Sequence, residues 1–223
     1  MGSVRLVSIT KPILEELKDF TPEELIVYIA RVSNPSNQLN KATAPKLLRY
    51  CFDHGHWSVF EHVFVTVEIQ TTRAIAAQIL RHKSLFFQEY SFRYSVAQEI
   101  DTNIEARLQD NKNRQNSIVT EDEELKKWFK EAQEEVARVS MEKYQEALQK
   151  GIAREQARFL LPLSTKTTMY ATGNIRSWIH YIKLRSANGT QKEHQEIAKA
   201  IFEALKPTFP VITSLIEEDL NGS

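Results

Sequence analysis

The spacing of apolar positions changes several times along this 223-residue chain, and each change predicts an element. Val4 to Thr10 alternates as a strand does. From Thr21 the period lengthens to that of a helix. Thr21 caps it, Pro22 occupies the first turn, and Glu24 closes a capping box. This helix runs to about Val32, because Asn34-Pro35 breaks it. A second helix covers Ala44 to Asp53 and ends at Gly55. His62 to Thr72 is rich in Val, Phe, Ile and Thr, with Val63, Val65, Val67 and Ile69 on one face, and predicts a strand. Arg73 to Lys83 then predicts a helix.

Thr102 to Thr120 is polar and predicts a long loop or excursion. Glu121 to Lys150 carries the clearest helical period. Leu125, Trp128, Phe129, Ala132, Val136, Val139, Tyr144 and Leu148 recur at helical spacing, acids cluster at the start, and Gly151 stops it. A short helix covers Arg154 to Leu161, ended by Pro162, and Lys166 to Thr172 reads as a strand. Amphipathic helices follow over Asn174 to Ser186 and Gln191 to Lys206, with a last helical stretch after Pro210. Repeats and low-complexity linkers are absent. The pattern describes one α+β domain over residues 1–223, with more helix than strand.

Composition narrows the function classes. Net charge is zero at 26% charged residues, which argues against a nonspecific nucleic-acid binder. The only cysteine, Cys51, excludes an intramolecular disulfide framework and a cysteine-based zinc site. No apolar run approaches the roughly 20 residues that span a bilayer, and no secretion signal opens the chain. A cytoplasmic, reducing compartment, away from membranes, is the expectation.

Candidate chemistry concentrates in residues 81–95. Arg81-His82-Lys83 precede Phe86, Phe87, Gln88, Glu89, Tyr90, Ser91, Phe92, Arg93 and Tyr94. Aromatic faces beside guanidinium groups suit a planar, anionic ligand. Basic residues ending a helix also favour its macrodipole, so Arg81 to Lys83 alone would need no ligand. On a helix, Gln78, Arg81 and His82 share one face.

Other groups carry two readings each. His54-Gly55-His56 with His62 is either a loop pair or part of a metal site, but no second carboxylate or cysteine completes a tetrahedral set. Arg158 lies among apolar residues, so it either holds an anion or pairs internally with Glu155 or Glu135. Asn174, Arg176, His180 and Arg185 share one helical segment, where a cap and a solvated face are the plain alternatives. Ser91 has no adjacent base, and neither a nucleophile elbow nor a nucleotide-binding glycine motif occurs.

The chain resembles the flavin-dependent thymidylate synthases, a family marked by Arg-His-Arg, seven residues, then Ser-x-Arg. Arg81-His82-Lys83 and Ser91-Phe92-Arg93 match that motif with one substitution. His54-Gly55-His56, Phe60-Glu61-His62, Arg154-Glu155, Arg158, Leu161-Pro162-Leu163, Asn174-Ile175-Arg176-Ser177 and Leu184-Arg185 extend the likeness across most of residues 20 to 200. The resemblance implies a twisted antiparallel sheet flanked by helices and a homotetramer with active sites shared between subunits. It also implies methylation of dUMP to dTMP, with methylenetetrahydrofolate as carbon donor and FAD, reduced by NADPH, as hydride carrier.

By the same resemblance, Gln78, Arg81, Glu89, Tyr90 and Ser91 fall on dUMP-binding positions, as do Phe92, Arg93, Arg158 and Arg185. Arg185 would promote ionisation at uracil N3, Ser91 would orient the substrate, and His56 would be a mobile group near flavin and folate. Ser58, Arg81, His82 and Lys83 fall on FAD-contacting positions, with Glu89, Asn174, Arg176 and His180. No metal is implied. Lys83 replaces the third motif arginine, a point charge in place of a two-pronged donor, which implies weaker FAD binding. Two other classes compete with the enzyme. One is a single-stranded nucleic-acid module stacking bases on Phe86, Phe87 and Tyr90; the other is a noncatalytic flavin- or nucleotide-binding relative.

Overall fold

The computed structural model describes residues 2–222; Met1 and Ser223, the ends of the expected domain, lie outside them. Strands β1 (Ser3–Ile9), β2 (Phe64–Thr72), β3 (Phe86–Glu89) and β6 (Lys166–Asn174) form an antiparallel sheet in the order β1-β2-β6-β3. Between β3 and β6 the chain forms a small separate hairpin, β4 (Arg107–Gln109) with β5 (Ser117–Val119). Around these stand α1 (Pro22–Ala30), α2 (Ala44–Asp53), α3 (Arg73–Ile79), α4 (Glu123–Gln149), α5 (Arg154–Ala157), α6 (Ile175–Ser186), α7 (Lys192–Leu205) and α8 (Pro210–Gly222). The expected helix-rich α+β architecture is the one observed.

Period-two patterning explains the sheet. Val63, Val65, Val67 and Ile69 are fully buried, together with Met169 and Ala171 across the register, and the α1, α2, α6, α7 and α8 faces cover them. The opposite face is polar. Arg5 grips Glu68 through both carboxylate oxygens at 2.7 and 2.8 Å, and Tyr170 donates its hydroxyl to Glu68 at 2.9 Å. The Thr21–Glu24 capping box is present in both directions, at 3.2 and 2.8 Å, and Gly151 (φ 82°) ends α4 as expected.

Three expectations change or sharpen. The helix expected over Arg73 to Lys83 ends at Ile79. The amides of Arg81 and His82 turn back onto Gln78 and Ile79 carbonyls in three-residue turns, because the chain must return to pair β3 with β6. The basic triplet therefore sits in a turn, not on a helix. The polar stretch expected to be a long loop or excursion is an excursion with strands of its own, the β4–β5 hairpin. Its turn is organised by Asp110, which accepts from the Lys112 and Asn113 amides and from the Asn116 side chain. Finally, α4 has the expected length, but only Tyr144 of its apolar residues is buried; Trp128 remains 62% exposed and Val136 52%.

Candidate active site

The segment after β3 is anchored by one carboxylate. Glu89 opposes Met169 on the core side of the sheet, at the point where β3 ends beside the start of α3. It forms an ion pair with Arg73 and accepts a hydrogen bond from the Thr167 hydroxyl at 3.0 Å. The Arg73 guanidinium also lies 5.5 Å from the centre of the Phe92 ring, which meets Tyr90 edge-on. Tyr90 donates its hydroxyl to the Val96 carbonyl at 2.9 Å. Tyr90 and Phe92 are thus structural supports, while Ser91 and Arg93 between and beyond them are exposed. Arg93 reaches the Glu155 carboxylate at 3.1 Å, and Arg158 donates Nε to the Glu155 carbonyl at 3.2 Å. Arg158 therefore makes neither of the internal salt bridges considered for it; its charge is held against a backbone oxygen and the Phe159 ring.

A second group forms where the turn after α3 meets α6 and α7. His82 is buried, and its Nε2 accepts a hydrogen bond from Arg185 Nε at 2.7 Å. An imidazole nitrogen accepting from a guanidinium must be unprotonated, so His82 is neutral. Burial, followed by the Arg185 and His180 charges, pushes its pKa down to about 4. The Nη nitrogens of Arg185 make no hydrogen bond or ion pair among the described residues. Next to this pair, Tyr181 and the wholly buried His194 share a 3.0 Å hydrogen bond, and His194 Nδ1 lies 3.2 Å from Gln78 Oε1. Burial, then the Arg185 and His82 charges, lowers the His194 pKa to about 3.

The remaining expected residues form a third group at the start of α6. Asn174 caps the helix by accepting from the Ser177 amide at 2.9 Å, and Arg176 pairs with Glu61, three residues from Ser58. His180 is exposed one turn further on. His56 is exposed and meets Tyr50 edge-on, while His54 stacks on the same ring at 4.1 Å. No cluster of three His, Cys, Asp or Glu suited to a metal occurs among the described residues. Arg81 and Lys83 are exposed and form no ion pair among the described residues. Trp178, by contrast, is core, its indole donating to the Val65 carbonyl.

The three groups do not close around one pocket within a single chain. A cavity of about 640 Å³ between β2, α3 and the start of α7 takes only Tyr90 and Phe92 from the expected residues. No hydrogen bond or ion pair joins the Gln78–His82–Arg185 group to the Glu89–Arg93–Arg158 group among the described residues. Sequence reading missed Arg73, His194 and Gln191. Arg73 and Gln191 are helix-terminal polar residues with no local signal. His194 was the findable one, a histidine at a core position of α7 beside Ile197 and Ala198.

A family model described as "Thymidylate synthase complementing protein" matches residues 16–211. A probable flavin-dependent thymidylate synthase of Paramecium bursaria Chlorella virus 1 is 53% identical over 215 residues, covering 96% of this chain and 99% of the relative. The flavin-dependent thymidylate synthase of a Synechocystis strain is 52% identical with the same coverage. Among solved structures, a UMP/dUMP methylase PolB from Streptomyces cacaoi bound with 5-Br dUMP superposes with a TM-score of 0.78 at 26% identity, covering 96% of this chain and 93% of that one. The same enzyme bound with 5-Br UMP gives a TM-score of 0.81 at 25% identity, covering 99% and 95%. This chain belongs to the family of flavin-dependent thymidylate synthases.

Proposed function

We propose that this protein methylates dUMP at uracil C5 to give dTMP, with methylenetetrahydrofolate as carbon donor and FAD, reduced by NADPH, as hydride carrier. The observation that carries the chemistry is the Arg185–His82 pair. Uracil C5 is a weak nucleophile, and it becomes more electron-rich when N3 loses its proton. Arg185 spends Nε on a neutral histidine, so its full charge and both Nη nitrogens are available to stabilise a uracil anion. Cys51 does not compete for the role of nucleophile: it is buried in α2, and burial raises its thiol pKa.

Gln78, Arg81 and Arg185 hold dUMP from one side, and Glu89, Ser91, Arg93 and Arg158 from the other. Arg93 and Arg158 suit the phosphate, because Arg93 meets one carboxylate, that of Glu155, and Arg158 meets only the Glu155 carbonyl and the Phe159 ring. Tyr90 and Phe92 shape that surface from beneath. Ser91 orients the substrate, having no base at its hydroxyl.

The residues present fit FAD. Arg81 and Lys83 offer exposed, unpaired charge suited to a diphosphate. Ser58, Asn174, Arg176 and His180 supply neutral and cationic donors around the start of α6, while His82 holds Arg185 in the last turn of the same helix. Bound FAD would supply the hydride that completes the methyl group. His56 stands exposed nearby on the turn after α2, available to flavin or folate.

The separation of the two dUMP-holding groups within one chain supports a homotetramer whose sites are shared between subunits. A free thiol in a folded, buried position agrees with a reducing, cytoplasmic setting, and no helix among the described residues is long and apolar enough to cross a membrane. The test is direct. Protein mixed with FAD and desalted should remain yellow and form dTMP from dUMP, methylenetetrahydrofolate and NADPH. Arg185→Ala should retain flavin and lose turnover. A protein that never holds FAD, or an Arg185→Ala variant of undiminished activity, defeats the reading.

A further inference from the structure

Five side chains are bonded end to end through the α6–α7 contact. Glu193 is the terminus: it forms an ion pair with Arg107 and accepts from Gln191 Nε2 at 2.8 Å. Gln191 Oε1 accepts from Gln78 Nε2 at 2.7 Å, Gln78 Oε1 lies 3.2 Å from His194 Nδ1, and His194 Nε2 lies 3.0 Å from the Tyr181 hydroxyl.

The direction of every bond follows from the carboxylate. An ionised carboxylate can only accept, so Gln191 must turn its NH2 toward Glu193 and its carbonyl toward Gln78. Gln78 must then direct its NH2 at Gln191 and its carbonyl at His194. Only a protonated Nδ1 can satisfy that carbonyl, which leaves His194 Nε2 as the acceptor of the Tyr181 hydroxyl. The chain of donors runs one way, and it fixes two amide orientations and one imidazole tautomer. Complete burial of His194 keeps the ring neutral, as this arrangement requires. Gln78 is then left with one unspent N–H, so it presents a donor toward any ligand.

We infer that His194 is a positioning residue for nucleotide binding: by holding the Gln78 carbonyl it directs the remaining Gln78 N–H to an acceptor oxygen of dUMP. This rests on the placement of Gln78 at the dUMP site proposed above.

The test compares His194→Leu with His194→Asn in the FAD-loaded protein, reading KM for dUMP, kcat, bound flavin and melting temperature. Asn carries an N–H close to the lost Nδ1; Leu carries only bulk. His194→Leu should raise KM for dUMP about tenfold, the effect of one misdirected hydrogen bond, with flavin content retained. His194→Asn should recover most of that affinity despite placing an amide among apolar neighbours. A packing role alone produces the opposite order, with Leu equal to or better than Asn, and that result overturns the inference. Gln78→Leu separates the two readings. If its KM for dUMP is unchanged, the place of Gln78 at the nucleotide is wrong. If it rises while His194→Leu stays normal, only the positioning role is wrong. Should the Leu variant fail to fold, ¹⁵N-histidine NMR of the unaltered protein decides. A proton on Nδ1 of His194 supports the inference, and a proton on Nε2 overturns it.

Discussion

His82 and His194 are two residues at which burial and charge act strongly on this protein's chemistry. Both have folded pKa values below the ordinary 6.5, about 4 and about 3, through burial first and the neighbouring Arg185 charge second. The unfolded chain therefore takes up protons at these rings before the folded one does. Their contribution to stability is complete above about pH 6.5 and is lost as the pH falls toward 4. The loss is on the order of 3 kcal/mol per histidine by pH 4. Melting temperature measured from pH 8 to pH 4 should fall below 6.5, and His194→Asn should flatten part of that slope. Glu23 offsets part of the fall: burial pushes its carboxyl up to about 7, so it gains stability as it takes up a proton. A profile that stays level between pH 7 and pH 5 contradicts this account. Gly173 imposes a different constraint. A Cβ there would come within 2.3 Å of Leu85 Cδ2, and Leu85 is the core residue leading into β3. Gly173→Ala should lower stability by about 1–3 kcal/mol, readable as a drop in urea midpoint, and it should weaken dUMP binding by moving Glu89.

Among the elements, the sequence was most legible where a period ran uninterrupted. The β2 alternation, the capping box of α1 and the helical run of α4 appear close to their expected bounds. Ends were less legible, because they answer to distant partners. The turn holding Arg81 to Lys83 follows from pairing β3 with β6, and nothing within the triplet itself indicates it. The β4–β5 hairpin has strands only three residues long and owes its position to Arg107–Glu193 and Lys192–Glu105 ion pairs at the start of α7. For α4 the period was right and its destination was not, since most of its apolar stripe faces away from this chain's own core. A stripe containing exposed Trp128, Val136 and Val139 is suited to another subunit. Val136→Glu should therefore reduce the proposed tetramer to smaller species by light scattering while leaving helical circular dichroism intact. A particle size unaffected by this change would remove α4 from the proposed interface.

For the whole molecule, family and chemistry were readable from local motifs, and the site as an object was not. Arg81-His82-Lys83 with Ser91-Phe92-Arg93, then Arg158, Asn174 and Arg185, identify the residue types that an anionic nucleotide and a flavin need. Those types are dictated by ligand chemistry and so persist as sequence. Sequence also determined the α+β class, because hydrophobic period is a property of neighbouring residues. Tertiary structure alone decided which of these side chains carry free charge. His82 and Tyr90 turned inward as supports, Arg185 kept its terminal nitrogens, and Arg73 and His194 entered as partners of Glu89 and Gln78. Those outcomes depend on contacts between residues 78 and 194, or 82 and 185, which no local pattern encodes. Burial and hydrogen bonding between distant segments set protonation and direction, and both exist only once the sheet and helices have closed around them.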